Sequence, residues 1–289
     1  MSMRKLFAFD AVALGYIGIV TAIVLVGRPE GGWIYLAYHA LAVAMIALVL
    51  YAHGRFGGPF WTVARYWYVV PIVLAAFREL HYLIPEVRPF HDWRFDRALA
   101  AIDRRWFGDV DGFFLNAFPP AAIDLLHLCY WFYFLSMLIT GAAIQRTGDF
   151  VKLREYVTIL LTGLFLSYLG YFLVPAVGPH HFLVPRPAIL DGWLLGGPFH
   201  RALMAAEWEM PDAFPSGHAL MSMIVIALAW RHHRGIFRWI VLPASGCVVA
   251  TVALRYHYVV DVVASAAVLP LAVWGGRSLA RRWERGANC

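Results

Sequence analysis

Eight apolar stretches dominate this chain of 289 residues, near 8–26, 33–53, 65–84, 121–145, 154–174, 217–232, 236–254 and 257–276. Each is about as long as the roughly 17–25 residues that carry a helix across a bilayer. Hydrocarbon offers the backbone no hydrogen-bond partner, so runs of this kind fold as helices that pack into a bundle. The sequence therefore predicts an all-α polytopic membrane bundle of about eight transmembrane helices. A content of 61% hydrophobic and 15% charged residues agrees, since soluble domains carry more charge. Only Arg231-His232-His233-Arg234-Gly235 divides the sixth run from the seventh, and that polar knot is hard to place inside hydrocarbon. Arg4 and Lys5 precede the first run as in a signal peptide, yet no small-x-small cleavage site follows Val26, so the run reads as a retained span.

Charge orients the bundle. With the N-terminus inside, every short inside connection is basic, among them Arg55, Arg146, Lys152, Arg154, Arg231 and Arg277, while most acids fall outside. The positive-inside rule then puts both termini in the cytoplasm and the protein in the cell's inner (plasma) membrane. The net charge of +6 is spread over short loops, which argues against a nucleic-acid partner. Cys129, Cys247 and Cys289 form no metal-ligand or disulfide spacing. Neither a cofactor nor a metal is expected, and nothing in the sequence speaks to oligomeric state.

Two long connections, about 85–120 and 175–216, fall on the outer side. In the first, Phe95, Leu99, Ile102 and Trp106 mark one helical stripe from Trp93 to Phe107, which predicts an interfacial amphipathic helix lying on the membrane. The second is rich in Gly and Pro and predicts an irregular cover over a site. That site begins at Phe214-Pro215-Ser216-Gly217-His218, where Ser216 suits an N-cap and Gly217 lets an anion approach the amides. One hairpin later come His257 and Asp261, four apart and so on one helical face. A carboxylate on an imidazole fixes its tautomer and stabilises developing positive charge, the wiring of an activated nucleophile. His218 is the natural acid for the leaving group. The starts of the sixth and eighth runs share the outer side, so the three can meet. A transporter would instead show inverted repeats and midplane charges; it is the alternative from another class.

The Pro-Ser-Gly-His stretch followed by His-x-x-x-Asp resembles the motifs of the type 2 phosphatidic acid phosphatase superfamily of membrane phosphotransferases. The resemblance implies that His257 is the nucleophile, Asp261 its partner and His218 the acid. It also implies a six-helix catalytic core over 65–289, with 1–64 as two added helices in one continuous membrane domain. The usual Lys-x6-Arg-Pro element is absent: Arg186-Pro187 has Pro179 where the Lys belongs, and His81 stands for it ahead of Arg88-Pro89. Thr251 stands where an Arg usually sits six residues before the nucleophile. Pro175-Ala176-Val177-Gly178-Pro179, together with Phe-Asp-x2-Leu-x2-Ile-Asp-x3-Phe-Gly over 95–108, is similar to the inositol phosphorylceramide synthase branch, which moves head groups between lipids.

The expected activity is thus phosphotransfer on lipid phosphate head groups through a phosphohistidine. A lipid phosphate or isoprenyl pyrophosphate phosphatase is the alternative. The partners are the bilayer, a phospholipid or isoprenyl phosphate substrate, and an alcohol or lipid acceptor. Phosphate charge would be met by Ser216, Gly217 and the candidates Arg78, Arg255 and Arg186, with His180 and His181 at the substrate entrance.

Overall fold

The computed structural model describes residues 6–88, 94–183, 185–206 and 211–286, and these are helical with no strand among them. The helices are α1 Ala8–Gly27, α2 Gly32–Phe56, α3 Gly58–Trp67, α4 Val69–Val87, α5 Arg94–Phe107, α6 Val110–Ala117 and α7 Pro120–Arg146. They continue with α8 Phe150–Leu173, α9 Pro179–Phe182, α10 Gly196–Ala206, α11 Gly217–His232, α12 Arg234–Ala253 and α13 Val259–Gly286; a short 3₁₀ turn, Ala188–Asp191, precedes α10. Among the described residues seven spans are long and apolar enough to cross a membrane, counting α3 and α4 as one bent span, Gly58–Val87. The bend falls at Tyr68 because Pro71 has no N–H to offer the carbonyl of Trp67.

The count differs from the expected eight at α11. That helix has 16 residues, about 24 Å at 1.5 Å per residue, shorter than the other spans. Pro215 bounds it on one side and His233 on the other, where the imidazole Nδ1 accepts from Ile236 N at 3.1 Å and starts α12. α11 and α12 thus form a tight antiparallel pair.

α8 is the post around which the bundle is built. Two-thirds (67%) of its apolar window is buried, against 11% for α2, so α2 turns nearly all its surface outward. One continuous apolar core joins Phe9, Tyr16 and Val20 of α1 to Leu80 of α4, Phe165 of α8 and Ile224 of α11. The N-terminal helix is therefore part of the same packing unit as the later helices. Polar contacts reinforce it. Arg65, only 1% exposed, donates Nη1 to Asp10 Oδ1 at 2.9 Å and Nη2 to the other carboxylate oxygen. Tyr68 donates its hydroxyl to the same carboxylate, and Phe7 lies 4.2 Å beneath the guanidinium.

α5 is an amphipathic helix, as expected, and its buried face also carries carboxylates. Its first residue is Arg94, and Trp93 lies outside the described residues. Leu99 is buried as expected, but Trp106 is exposed, and the other buried residues are Asp96 and Asp103. The helix docks on the protein through carboxylates as well as through its apolar stripe.

Asp10→Ala leaves the Arg65 guanidinium buried without its carboxylate, so thermal unfolding in detergent should reveal a loss of about 3–5 kcal/mol. Arg65→Met in that background should recover most of it. Full stability of the single variant would show that the pair is dispensable.

Candidate active site

Carboxylates assemble the loops at the site end of the bundle. Asp96 accepts from Val177 N at 3.2 Å, Gly178 N at 2.9 Å and Tyr258 Oη at 3.2 Å. Asp103 accepts from Val259 N at 2.7 Å and Val260 N at 2.9 Å, the first two amides of α13. Asp124, at the start of α7, gathers the amides of Leu194 at 2.8 Å, Gly196 at 2.9 Å and Leu195 at 3.0 Å, with Trp193 at 3.2 Å. Burial raises the carboxyls of Asp96 and Asp103 above their usual range, and these same backbone bonds oppose the rise.

Close backbone approaches finish the frame. A Cβ on Gly170 of α8 would lie 2.3 Å from Pro215 Cδ, so only glycine lets the Phe214–Ser216 loop sit against that helix. Gly178 has φ +90°, and a Cβ there would come 2.5 Å from the Tyr256 carbonyl oxygen.

Within this frame Ser216 caps α11, its hydroxyl accepting from Ala219 N at 3.2 Å. Its own N–H donates to the Asp261 carbonyl at 3.3 Å, and Ser265 Oγ donates to the Ser216 carbonyl at 2.8 Å. The starts of α11 and α13 are thereby stapled together. The Ser216 hydroxyl, fully buried and occupied as a cap, is turned to the helix; the amides of Gly217 and His218 have no acceptor among the described residues.

His218 and His257 meet, their ring centroids 6.1 Å apart. Tyr130 stacks on His218 at 4.3 Å and Tyr133 tilts against it at 4.2 Å, fixing its plane. Tyr130 Oη lies 3.4 Å from His218 Nδ1, which leaves Nε2 for chemistry. His257 precedes α13 by two residues instead of lying within it. Its Nδ1 donates to the Ala213 carbonyl at 2.9 Å, with Asp261 Oδ2 behind at 3.6 Å. The backbone carbonyl, which no sequence pattern announced, is thus the nearer tautomer-fixing acceptor. Asp261 Oδ2 itself accepts from Tyr258 N at 2.8 Å. With Nδ1 protonated, His257 Nε2 carries the lone pair.

The expected arginines are engaged by other partners. Arg255, in a left-handed backbone conformation, forms a two-bond ion pair with Asp111 and donates to the Leu183 carbonyl at 3.1 Å. Arg186 pairs with Asp191 and donates to the Leu190 carbonyl at 2.7 Å. Arg78 donates to Tyr82 Oη at 2.9 Å and lines a separate recess with Tyr35 and Tyr38. The rings of His180 and His181 lie 4.2 Å apart at a tilt of 44°, and His180 sets its edge against Tyr256. Burial, then the neighbouring imidazoles of His181, His257 and His200, lowers His180 well below the usual histidine range. His200, Nδ1 3.2 Å from Tyr256 Oη, is pushed down to about 4, chiefly by burial and then by Arg186. His127 is a core histidine bonded to the Leu190 carbonyl at 3.1 Å.

An apolar groove of about 240 Å³ runs from His218, Gly217 and Asp212 between α4 and α7. It continues into a narrower crevice that shares Val73, Phe134, Met137 and Leu164 and ends beside Gly141. From Tyr130 to Gly141 the α7 wall covers about 16 Å. Leu74 and Trp131, 50% and 43% exposed, stand at its side. The sequence reading passed over Asp212, whose carboxylate faces this groove.

The sequence pattern of the PAP2 superfamily matches residues 97–275, more than half of the chain. The chain belongs to that superfamily. Membership in the PAP2 superfamily, a phosphatase family, gives the protein an activity of the phosphatase or phosphotransferase type. No curated protein and no solved structure matches it. The matched region takes in His218, His257 and Asp261 and the α5 carboxylate Asp103; it begins just after Asp96 and after α4, which supplies one wall of the groove.

Asp103→Ala strips two helix amides of their acceptor, so a loss of about 1–2 kcal/mol should show in thermal melts, with turnover at least ten-fold lower because His257 leads directly into that helix. Turnover equal to wild type would detach α5 from the site. Burial pushes Asp212 up to about 6, with His257 opposing. A carboxyl raised in the folded state favours folding below its unfolded value near 4, and that contribution is lost as pH climbs through about 6. Asp212→Asn should accordingly raise the melting temperature over wild type more at pH 8 than at pH 4; the reverse order would contradict this assignment.

Proposed function

We propose that the protein is an integral membrane phosphotransferase that acts on lipid phosphate head groups through a phosphohistidine on His257. The observation that carries the reading is the pair of imidazoles, 6.1 Å apart, at the head of an apolar groove. That separation suits one phosphorus atom held between a nucleophile and an acid, each at about 3–3.5 Å.

His257 Nε2 attacks phosphorus while the bond to the lipid oxygen breaks. His218 Nε2 gives its proton to the departing oxygen, which leaves as an alcohol. Asp261 and the Ala213 carbonyl hold the imidazolium that forms. In the second half an acceptor hydroxyl attacks phosphorus, its proton returns to His218 and the P–N bond breaks. The amides of Gly217 and His218 at the α11 N-terminus face the non-bridging oxygens, as an oxyanion site does. The ion pairs of Arg255 and Arg186 argue against the guanidinium roles considered for them, and the amides take a larger share.

The groove argues for a lipid alcohol as both leaving group and acceptor. Together with the similarity of the 95–108 and 175–179 stretches to the inositol phosphorylceramide synthase branch, it favours head-group transfer over hydrolysis. Water as acceptor would make the same site a lipid phosphatase.

His257→Ala should abolish turnover of radiolabelled lipid phosphates in detergent and the acid-labile, base-stable phosphoenzyme. His218→Ala should slow turnover about 10²–10⁴-fold yet still form phosphoenzyme from a substrate with a good leaving group. Turnover that survives His257→Ala would remove the mechanism.

A further inference from the structure

The end of the bundle opposite the imidazoles carries a cavity of its own, between the first turns of α8 and the last turns of α13. It measures about 440 Å³, the liquid volume of roughly 15 waters, and nothing in the proposed reaction uses it. α13 has 28 residues, about 42 Å at 1.5 Å per residue, whereas a hydrocarbon core is about 30 Å thick. With Val259 at the site-side boundary, the last two turns of α13 therefore emerge among the head groups of the opposite leaflet. Those turns carry Arg281 and Arg285. By the positive-inside rule the basic connections at this end make it the inner leaflet.

Five of the seven lining residues are charged, and their charges do not balance. Glu284 accepts from Nε and Nη2 of Arg154, whose Nη1 donates to Tyr66 Oη at 3.2 Å. Glu155 accepts from Arg277 Nε at 3.0 Å, with Arg231 and His232 at 3.6 Å, all three from outside the lining. Both carboxylates are thereby neutralised. Arg281 and Arg285 are exposed, and their side chains meet no acceptor among the described residues. Four apart on one helical face, two like charges destabilise each other, and an anion bridging them removes that penalty.

The chemistry of the lining narrows the anion. A phosphate monoester, at about −1.5 to −2 near neutral pH, matches two free guanidiniums better than the single charge of a phosphodiester does. Guanidinium forks pair with phosphate oxygens two at a time. The rest of the lining is Val151, 54% exposed, and Ala280, an apolar surface that suits the glycerol and first acyl carbons of a lipid and offers a free inorganic anion nothing.

We infer that this cavity is an inner-leaflet binding site for a phospholipid with a phosphomonoester head group, clasped by Arg281 and Arg285 between α8 and α13. It shares no residue with the His218–His257 site and stands whether or not the phosphohistidine reading does. A lipid held there ties the last turns of α13 to the start of α8, so its binding stabilises the folded bundle.

The test uses the full-length protein in neutral-detergent micelles and the phosphonate analogue of dioleoyl phosphatidic acid, whose P–C bond a phosphotransferase leaves intact. Native mass spectrometry resolves each bound lipid. Wild type should carry one adduct more than Arg281→Ala/Arg285→Ala at the same lipid concentration, and only wild type should gain the corresponding rise in melting temperature. An adduct common to both proteins reports lipid beside His257 and cancels in the comparison. Both arginines are exposed, and the single variant Arg281→Gln, expected to lower occupancy of the extra adduct at least three-fold, serves should the double variant fail to fold. Equal adduct numbers and equal stabilisation in folded variants would overturn the site. So would an extra adduct formed as readily by dioleoyl phosphatidylcholine, or one displaced by inorganic phosphate at the same concentration, which would make it a pocket for a soluble anion.

Discussion

Backbone amides received by buried carboxylates are what the site depends on. The loops that carry His257, the Gly178 turn and the start of α10 are each held by an aspartate from another element. Asp103 fixes the first turn of α13, Asp96 the Val177–Gly178 amides, and Asp124 four consecutive amides before and at α10. A carboxylate is a strong, directional acceptor for helix N-terminal donors. It sets position in a way that apolar packing around irregular backbone cannot. The imidazole pair inherits its spacing from these bonds, because Ser216 and Asp261 are stapled together only where α13 begins where Asp103 holds it.

The two halves of the molecule divide the work. At the end away from the site, Arg154 pairs with Glu284, and Glu155 meets Arg277 at 3.0 Å, with His232 and Arg231 at 3.6 Å. These ties close the bundle where α8, α11 and α13 come together. At the site end the same helices open into the groove headed by the imidazole pair. A rigid base beneath an open mouth holds reacting groups still while substrate arrives, which is where positioning contributes most to rate.

Much of this was legible in the chain. Hydropathy alone marked the long apolar helices but not α10, Gly196–Ala206, which lies in the connection expected to be irregular; Ser216 caps α11 as its place before Gly217-His218 suggested. The meeting of His218 and His257 followed from counting crossings. Arg255 was not legible, because its partner is distant: it finds Asp111, 144 positions away, and no local pattern encodes such a pair. The α5 carboxylates could have been found. Asp96 and Asp103 are seven apart, which on a helix puts them within about 20° of each other, beside Phe95 and Ile102 on the stripe that was read as membrane-facing. Reading that stripe as purely apolar hid its second use. The shortness of α11 was legible as well, since the sixth apolar run, 217–232 between Pro215 and the Arg231–Gly235 knot, has the bounds of the helix.

The groove between α4 and α7 opens through the side of the bundle, past Leu74 and Trp131, instead of through its end. A molecule that enters this way comes from the surrounding film, and its supply is counted per unit of membrane area. For such a protein, dilution with inert detergent or lipid slows encounter even when the amount per litre is unchanged. Crowding of the leaflet by other amphiphiles acts as competition at the doorway. On the proposed reading of the site, the membrane is both solvent and substrate reservoir.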